Sequence, residues 1–228
     1  MDTIKNTSVN EIYKILHDMV ISFQFPPGSK ISEVSVAESL GVSRTPVRQA
    51  LQELATRKLL IKRPSKGFYS RKIEKNEIFD LYELRECVEM KAVELAAKRA
   101  SDEELNGLYE LWKEGSKLPK TASTEVLHKR DRDFHMYIAD MSNNQQIVEL
   151  LHNINDRIYF VRWIDMTDRA PKTQHEHEKI VEFLLERKGR EAAEVMQKHI
   201  NKRMEDIVLS TREAYARIFT GDLPEKES

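Results

Sequence analysis

A single cysteine, Cys87, stands among 228 residues. No disulfide can close within one chain, a reducing cytoplasm is the natural compartment, and Cys87 is expected as a small buried residue of a helix. Long apolar runs are missing too. The longest uncharged stretch is Met19 to Ser29, and Pro26-Pro27-Gly28 breaks it, so no segment suits a membrane-spanning helix. With Asp2 and Lys5 and no apolar core, the N-terminus does not read as a signal peptide. The chain lacks a Gly-rich phosphate loop, an HExxH helix and an evident nucleophile with its base, which argues against an enzyme. Internal repeats and low-complexity tracts are also absent.

Charge is plentiful but unevenly placed. The net charge of −1 conceals a basic part, with 12 Lys or Arg against 6 Asp or Glu in residues 1–73, and an acidic part, with 25 against 32 in residues 74–228. This shift predicts two domains, 1–73 and 74–228. Within residues 41–72 the balance is 9 basic to 1 acidic, the concentrated positive field that a phosphate backbone attracts.

The same stretch has the layout of a DNA-reading element. Val47, Ala50, Leu51 and Leu54 recur at helical spacing and predict one core-facing stripe, which leaves Arg44, Thr45, Arg48 and Gln49 on the outer face. Ser43 is placed to cap this helix, and Pro46 falls in its first turn. Upstream, Ser32 to Leu40 reads as a shorter helix with Val36, Ala37 and Leu40 inward, and Gly41 permits the tight turn between them. Two helices joined in this way make a helix-turn-helix. Ser8 and Glu11 have capping-box spacing and open a third helix with Ile12, Ile15, Met19, Val20 and Phe23 inward, ending at Pro26-Pro27-Gly28. Leu59 to Ile61 and Phe68 to Ser70 flank Pro64-Ser65-Lys66-Gly67, which predicts a small hairpin wing with Lys66 and Gly67 near its tip. The plain alternative is a solvated helix and hairpin that happen to be basic.

Residues 74–228 show no strand alternation. Asn76 to Ala100 runs without Gly or Pro, with Ile78, Leu81, Tyr82, Val88, Ala92, Leu95 and Ala96 as its stripe, and Ser101 with Glu104 opens a helix that Pro119 closes. Further helices are expected near 124–142, 145–164, 172–187 and 190–219, separated by Asn143-Asn144, a loop from Asp165 to Pro171, and Gly189. The chain as a whole is thus read as mainly α: a winged helix-turn-helix followed by an all-helical antiparallel bundle. Within the bundle, Asp131 and His135 share a helix face, and His177 and His199 fall beside apolar residues of later helices. One carboxylate and three imidazoles could converge from three helices, a set suited to zinc, nickel or another first-row divalent ion. An Asp/His pair at this spacing is also a common surface ion pair, and spacing alone leaves both readings open.

These residues resemble a GntR-family transcriptional regulator of the FadR-like subfamily with an FCD-type C-terminal domain. The likeness rests on PGSKIS at 27–32, LGVSRTPVRQAL at 40–51, the wing ending in Lys66-Gly67-Phe68, LYELRECVEMKAVELAA at 81–97, DRDFH at 131–135, EHEKI at 176–180 and MQKHI at 196–200. It implies operator contacts by Ser43, Arg44, Thr45, Arg48, Gln49, Lys66 and Gly67, and metal ligation by Asp131, His135, His177 and His199, with zinc or nickel ahead of manganese. It also implies a small carboxylate effector near Arg85, with Arg157 and Arg162 as further candidates. A homodimeric, ligand-released repressor on double-stranded operator DNA follows from the likeness, with no membrane partner. A regulator that senses metal alone and a metal-dependent hydrolase with a DNA-binding head are the rival readings. Two departures stand out: Val34 occupies a position where relatives frequently carry arginine, and Lys66 keeps charge but loses the planar fork of an arginine.

Overall fold

The computed structural model describes residues 8–117, 122–204 and 207–221, without the side chains of 116, 166–174 and 202–212. The chain divides into two units after Ile73, and residues from Ala214 onward group with the first rather than with residues 74–213. Within the first unit the Tyr215 hydroxyl donates to the Ile73 carbonyl at 2.9 Å.

The first unit comprises α1 (Val9–Ile21), β1 (Lys30–Ile31), α2 (Glu33–Leu40), α3 (Arg44–Thr56), β2 (Leu60–Arg63) and β3 (Gly67–Ser70), with the end of the last helix of the chain. The Ser8–Glu11 capping box opens α1: the Glu11 N–H donates to Ser8 Oγ at 3.2 Å, and the Ser8 N–H donates to Glu11 Oε2 at 2.7 Å. Ile12, Leu16, Val20 and Ile21 form its buried face, whereas Ile15, expected inward, is 38% exposed. The stripe is rotated because Leu16, not Ile15, follows Ile12 on the face that meets α3. In α3 the expected stripe of Val47, Ala50, Leu51 and Leu54 is fully buried, each large aliphatic side chain contributing about 1.5–3 kcal/mol. Gly41 closes α2 in the left-handed region at φ 65, which costs glycine no Cβ clash. Leu40 beside it is half-buried instead of core.

Strands β2 and β3 make the hairpin, with Leu60 opposite Ser70 and Arg63 opposite Gly67. A third strand, β1, pairs with β3 through Lys30–Tyr69 and Ile31–Phe68, giving the order β1-β3-β2. Two residues are too short to show alternation in sequence, so β1 escaped the sequence reading.

The second unit holds α4 (Lys75–Arg99), α5 (Asp102–Ser116), α6 (Thr124–Met141), α7 (Gln145–Leu185), α8 (Gly189–Met204) and the first part of α9 (Ile207–Thr220). α4 packs against α6, α7 and α8. Its inward face carries Ile78, Leu81, Tyr82, Ala92, Val93 and Ala96, with Arg85 and Glu89 among them. Cys87 is exposed, contrary to expectation, because it lies roughly opposite Arg85 and Glu89 on the helical wheel. The Ser101–Glu104 capping box opens α5; its closure at Pro119 falls outside the described residues. Ser123 and Asn144 cap α6 and α7 by accepting first-turn N–H groups.

The expected loop from Asp165 to Pro171 is instead part of α7, a single helix of 41 residues. A proline inside a helix costs about 3 kcal/mol, and here both flanks are anchored by burial, Leu151, Ile154 and Ile158 before it and Ile180, Val181 and Leu184 after it. Gly189 starts α8 where it crosses α4: a Cβ there would stand 2.9 Å from Ala97 Cβ and 3.4 Å from the Glu94 backbone. Where the sequence suggested one final helix there are two, α8 and α9, and residues 205–206 between them lie outside the described set. Among the described residues no helix is long and apolar enough to cross a membrane.

Candidate nucleic-acid interface and metal centre

The outer face of α3 presents Arg44, Thr45, Arg48 and Gln49 to solvent, directly after the exposed Ser43. Ser43 has the extended backbone of an N-cap, but its hydroxyl makes no capping bond. The reason is local: Pro46 occupies the third helical position and has no N–H to donate.

Beside this face lies a cleft of about 540 Å³. Arg44 and Arg48 from α3 line it together with Lys66 and Gly67 from the wing, and Lys30, Lys62 and Arg63 add three further cations. Ser43, Thr45 and Gln49 are exposed on the same helix but do not line this cleft. Val34, 43% exposed, and Glu33 complete one wall, with Glu33 Oε2 3.9 Å from Arg44 Nη2. Lys62 is held by Gln52, and Arg63 stacks over the Tyr69 ring at 4.3 Å. Six cations facing one acid make a surface built for a polyanion. Sequence reasoning missed Lys30, Lys62 and Arg63; the adjacent Lys62-Arg63 pair leading into the wing was the available signal.

In the second unit, α6, α7 and α8 bring Asp131, His135, His177 and His199 together, all four buried, with one potential ligand atom from each lying within 4.8 Å of the others. Asp131 Oδ1 is 3.6 Å from His177 Nε2, and Asp131 Oδ2 is 3.8 Å from His135 Nε2. Phe134 stacks on the His177 ring at a centroid distance of 4.0 Å and holds it in place. His135 Nδ1 meets Glu89 and His199 Nδ1 meets Glu176, so both rings turn Nε2 elsewhere. His135 Nε2 and Asp131 Oδ1 are buried with no hydrogen-bond partner. Orphaned buried polar atoms are costly, and a nitrogen-rich set with open lone pairs is what a first-row divalent ion takes up. The residues present therefore fit such an ion.

Protonation agrees with ligation. Burial, against the pull of Glu89, pushes His135 down to about 4, which leaves its imidazole neutral near pH 7. Burial alone would raise Asp131, but Arg162 and the three histidines hold its carboxyl well below the usual range. Glu89 is likewise held low against burial by Arg85 and His135.

Of the three arginines expected near an effector, Arg85 is 1% exposed, donates from Nε to Glu89 Oε1 at 2.5 Å, and leaves Nη2 buried without a hydrogen-bond partner. Arg162 is committed to Asp131 and, at 3.3 Å, to Asn155 Oδ1. Arg157 pairs through Nη2 with Glu77 on α4, while its Nε has no hydrogen-bond partner. His175 is exposed and meets Glu178.

Residues 8–69 match the bacterial regulatory proteins of the gntR family, and residues 80–202 match the FCD domain. The Nta operon transcriptional regulator of Aminobacter aminovorans is 39% identical over 211 residues, covering 91% of this chain and 99% of its own. The HTH-type transcriptional repressor RspR of Escherichia coli is 23% identical, covering 86% of this chain and 87% of its own. Among solved structures, E. coli McbR/YncC aligns with a TM-score of 0.69 at 18% identity, over 90% of this chain and 99% of its own, which speaks for the fold. With the cationic cleft beside an exposed helix-turn-helix face, these matches place the chain in the gntR family, with an FCD domain in its second half, as a DNA-binding transcriptional regulator and not an enzyme.

Proposed function

We propose that the chain is a ligand-responsive repressor that binds a palindromic operator as a homodimer and releases it when a small organic acid enters the buried cluster of the second unit. Two-fold symmetry in the protein mirrors two half-sites, the usual arrangement for helix-turn-helix proteins. Arg44 and Arg48 would meet guanine edges or nearby phosphates, Ser43, Thr45 and Gln49 the adjoining backbone, and the Lys66–Gly67 tip the neighbouring groove. The repressor sense is supported by the name of the relative RspR.

The observation that carries the effector reading is the buried, unpartnered Nη2 of Arg85, joined through Glu89 to His135. Charge points the same way. Within the cluster, Arg85 is paired with Glu89 and Arg162 with Asp131, so each of these two carboxylates has its own cation. A divalent ion held by Asp131, His135, His177 and His199 leaves that set positive. An uncompensated buried charge is unfavourable, and a carboxylate ligand taken up beside Arg85 would neutralise it. The ion supplies a Lewis-acid anchor for the ligand; the guanidinium supplies orientation. Zinc or nickel suits the donor set best, with manganese after them.

The test uses a labelled operator fragment selected from random sequence. Zinc-loaded protein should release it with a small carboxylate and not with zinc alone, and the Arg85→Gln variant, folded by circular dichroism, should bind DNA yet ignore the acid. Release or tightening by zinc alone would favour a direct metal sensor. A variant that responds like the unaltered protein would remove Arg85 from the pocket.

A further inference from the structure

Glu89 occupies a position that neither the ligand set nor the proposed effector arginine explains. It lies one turn beyond Arg85 on α4, is 2% exposed, and reaches across to α6. Its two oxygens are divided: Oε1 accepts from Arg85 Nε at 2.5 Å, and Oε2 meets His135 Nδ1. An ionised carboxylate can only accept, so the hydrogen of the neutral imidazole sits on Nδ1 and the lone pair sits on Nε2, inside the cluster. We propose that Glu89 is a positioning residue that fixes the tautomer of His135 for metal binding and reports metal occupancy to Arg85.

The proposal rests on the metal reading above and deepens it. With a divalent ion held by the cluster, the His135 ring would become more acidic and its Nδ1–H to Glu89 bond stronger, as in other carboxylate–histidine–metal arrangements. The charge that Glu89 gives to His135 is charge it no longer gives to Arg85. The guanidinium then holds its carboxylate partner less tightly and offers more to an incoming anion. Linkage makes the effect reciprocal: an anion on Arg85 must change metal affinity by the same factor.

The molecule contains its own comparison. His199 Nδ1 meets Glu176 Oε2 at 2.8 Å, so Glu176 orients a ligand in the same manner. It sits 23% exposed, whereas Glu89 is 2% exposed and bonded to Arg85. Glu176 orients His199 and Glu89 orients His135, so loss of the Glu176 carboxylate should weaken metal binding while the Glu89–Arg85 bond stays in place.

Zinc titration of the full chain, followed by side-chain nitrogen NMR and by competition with a chromophoric chelator, separates these roles. In the unaltered protein without metal, His135 should show a protonated Nδ1 and a bare Nε2, and the Arg85 Nε–H resonance should shift in step with zinc occupancy. Glu89→Gln and Glu176→Gln should each weaken zinc about 10–100-fold, but only Glu89→Gln should abolish the Arg85 shift. An Arg85 resonance indifferent to bound zinc, or a His135 with its hydrogen on Nε2, overturns the proposal from the unaltered protein alone, whatever the variants do. Glu89→Gln binding zinc as tightly as the unaltered protein also overturns it. Failure of the unaltered protein to take up zinc at all sinks the metal reading first, and this inference with it.

Discussion

His128 is buried at 4% exposure, with its ring edge-on to Tyr159 at 4.7 Å and its Nε2 without a hydrogen-bond partner. Burial, reinforced by Arg162, pushes it down to about 3 from its ordinary 6.5. The unfolded chain takes up this proton below about 6.5 and the folded chain does not until far lower, so stability is full above that range and falls as pH drops through it. By pH 5 the loss should be on the order of 2 kcal/mol. Urea midpoints measured from pH 7 to pH 5 should fall less steeply in His128→Leu than in the unaltered protein; parallel slopes would contradict this. Among the candidate ligands, Asp131 and His135 were legible because four residues separate them on one helix. Glu89 was not, since nothing local marks it among 38 acidic residues, and Glu176, though adjacent to His177, gave no sign of its reach to His199. Cys87 and Arg85 reverse ordinary burial, the thiol outside and the guanidinium inside; the thiol lies opposite the face that carries Arg85 and Glu89.

Elements whose ends are written in local chemistry read correctly. The capping boxes at Ser8 and Ser101 start α1 and α5, and the stripe of α3 is buried as its spacing requires. Where tertiary packing overrides a local signal the reading failed, as at Pro171 within α7; at Ser43 it failed for a local reason, since Pro46 denies the cap. Gly189 is a third case: read as a break, it is also a close crossing of α8 over α4. Gly189→Ala should therefore destabilise the second unit by roughly 1–3 kcal/mol, the usual cost of overpacking. A thermal midpoint equal to that of the unaltered protein would show that α8 can move aside freely.

The chain is two oppositely charged parts with separate tasks. The cleft of the first unit gathers Lys30, Arg44, Arg48, Lys62, Arg63 and Lys66, so operator binding should weaken steeply with salt. Lys66→Ala should lower affinity evenly across DNA sequences and reduce the salt slope by about 1, whereas Arg48→Ala should cost roughly 1–3 kcal/mol and relax preference at one base position. Equal losses on specific and random DNA for Arg48→Ala would reassign it to the phosphate backbone. Both effects are readable by fluorescence anisotropy across a salt series. In the second unit the proposed ligand response depends on a metal ion held by Asp131, His135, His177 and His199. Elemental mass spectrometry of tag-free protein, with His177→Ala beside it, tests this most directly. Close to one divalent ion per subunit, lost in the variant, is the expected result; no bound metal after incubation with zinc, nickel and manganese would rule the site out.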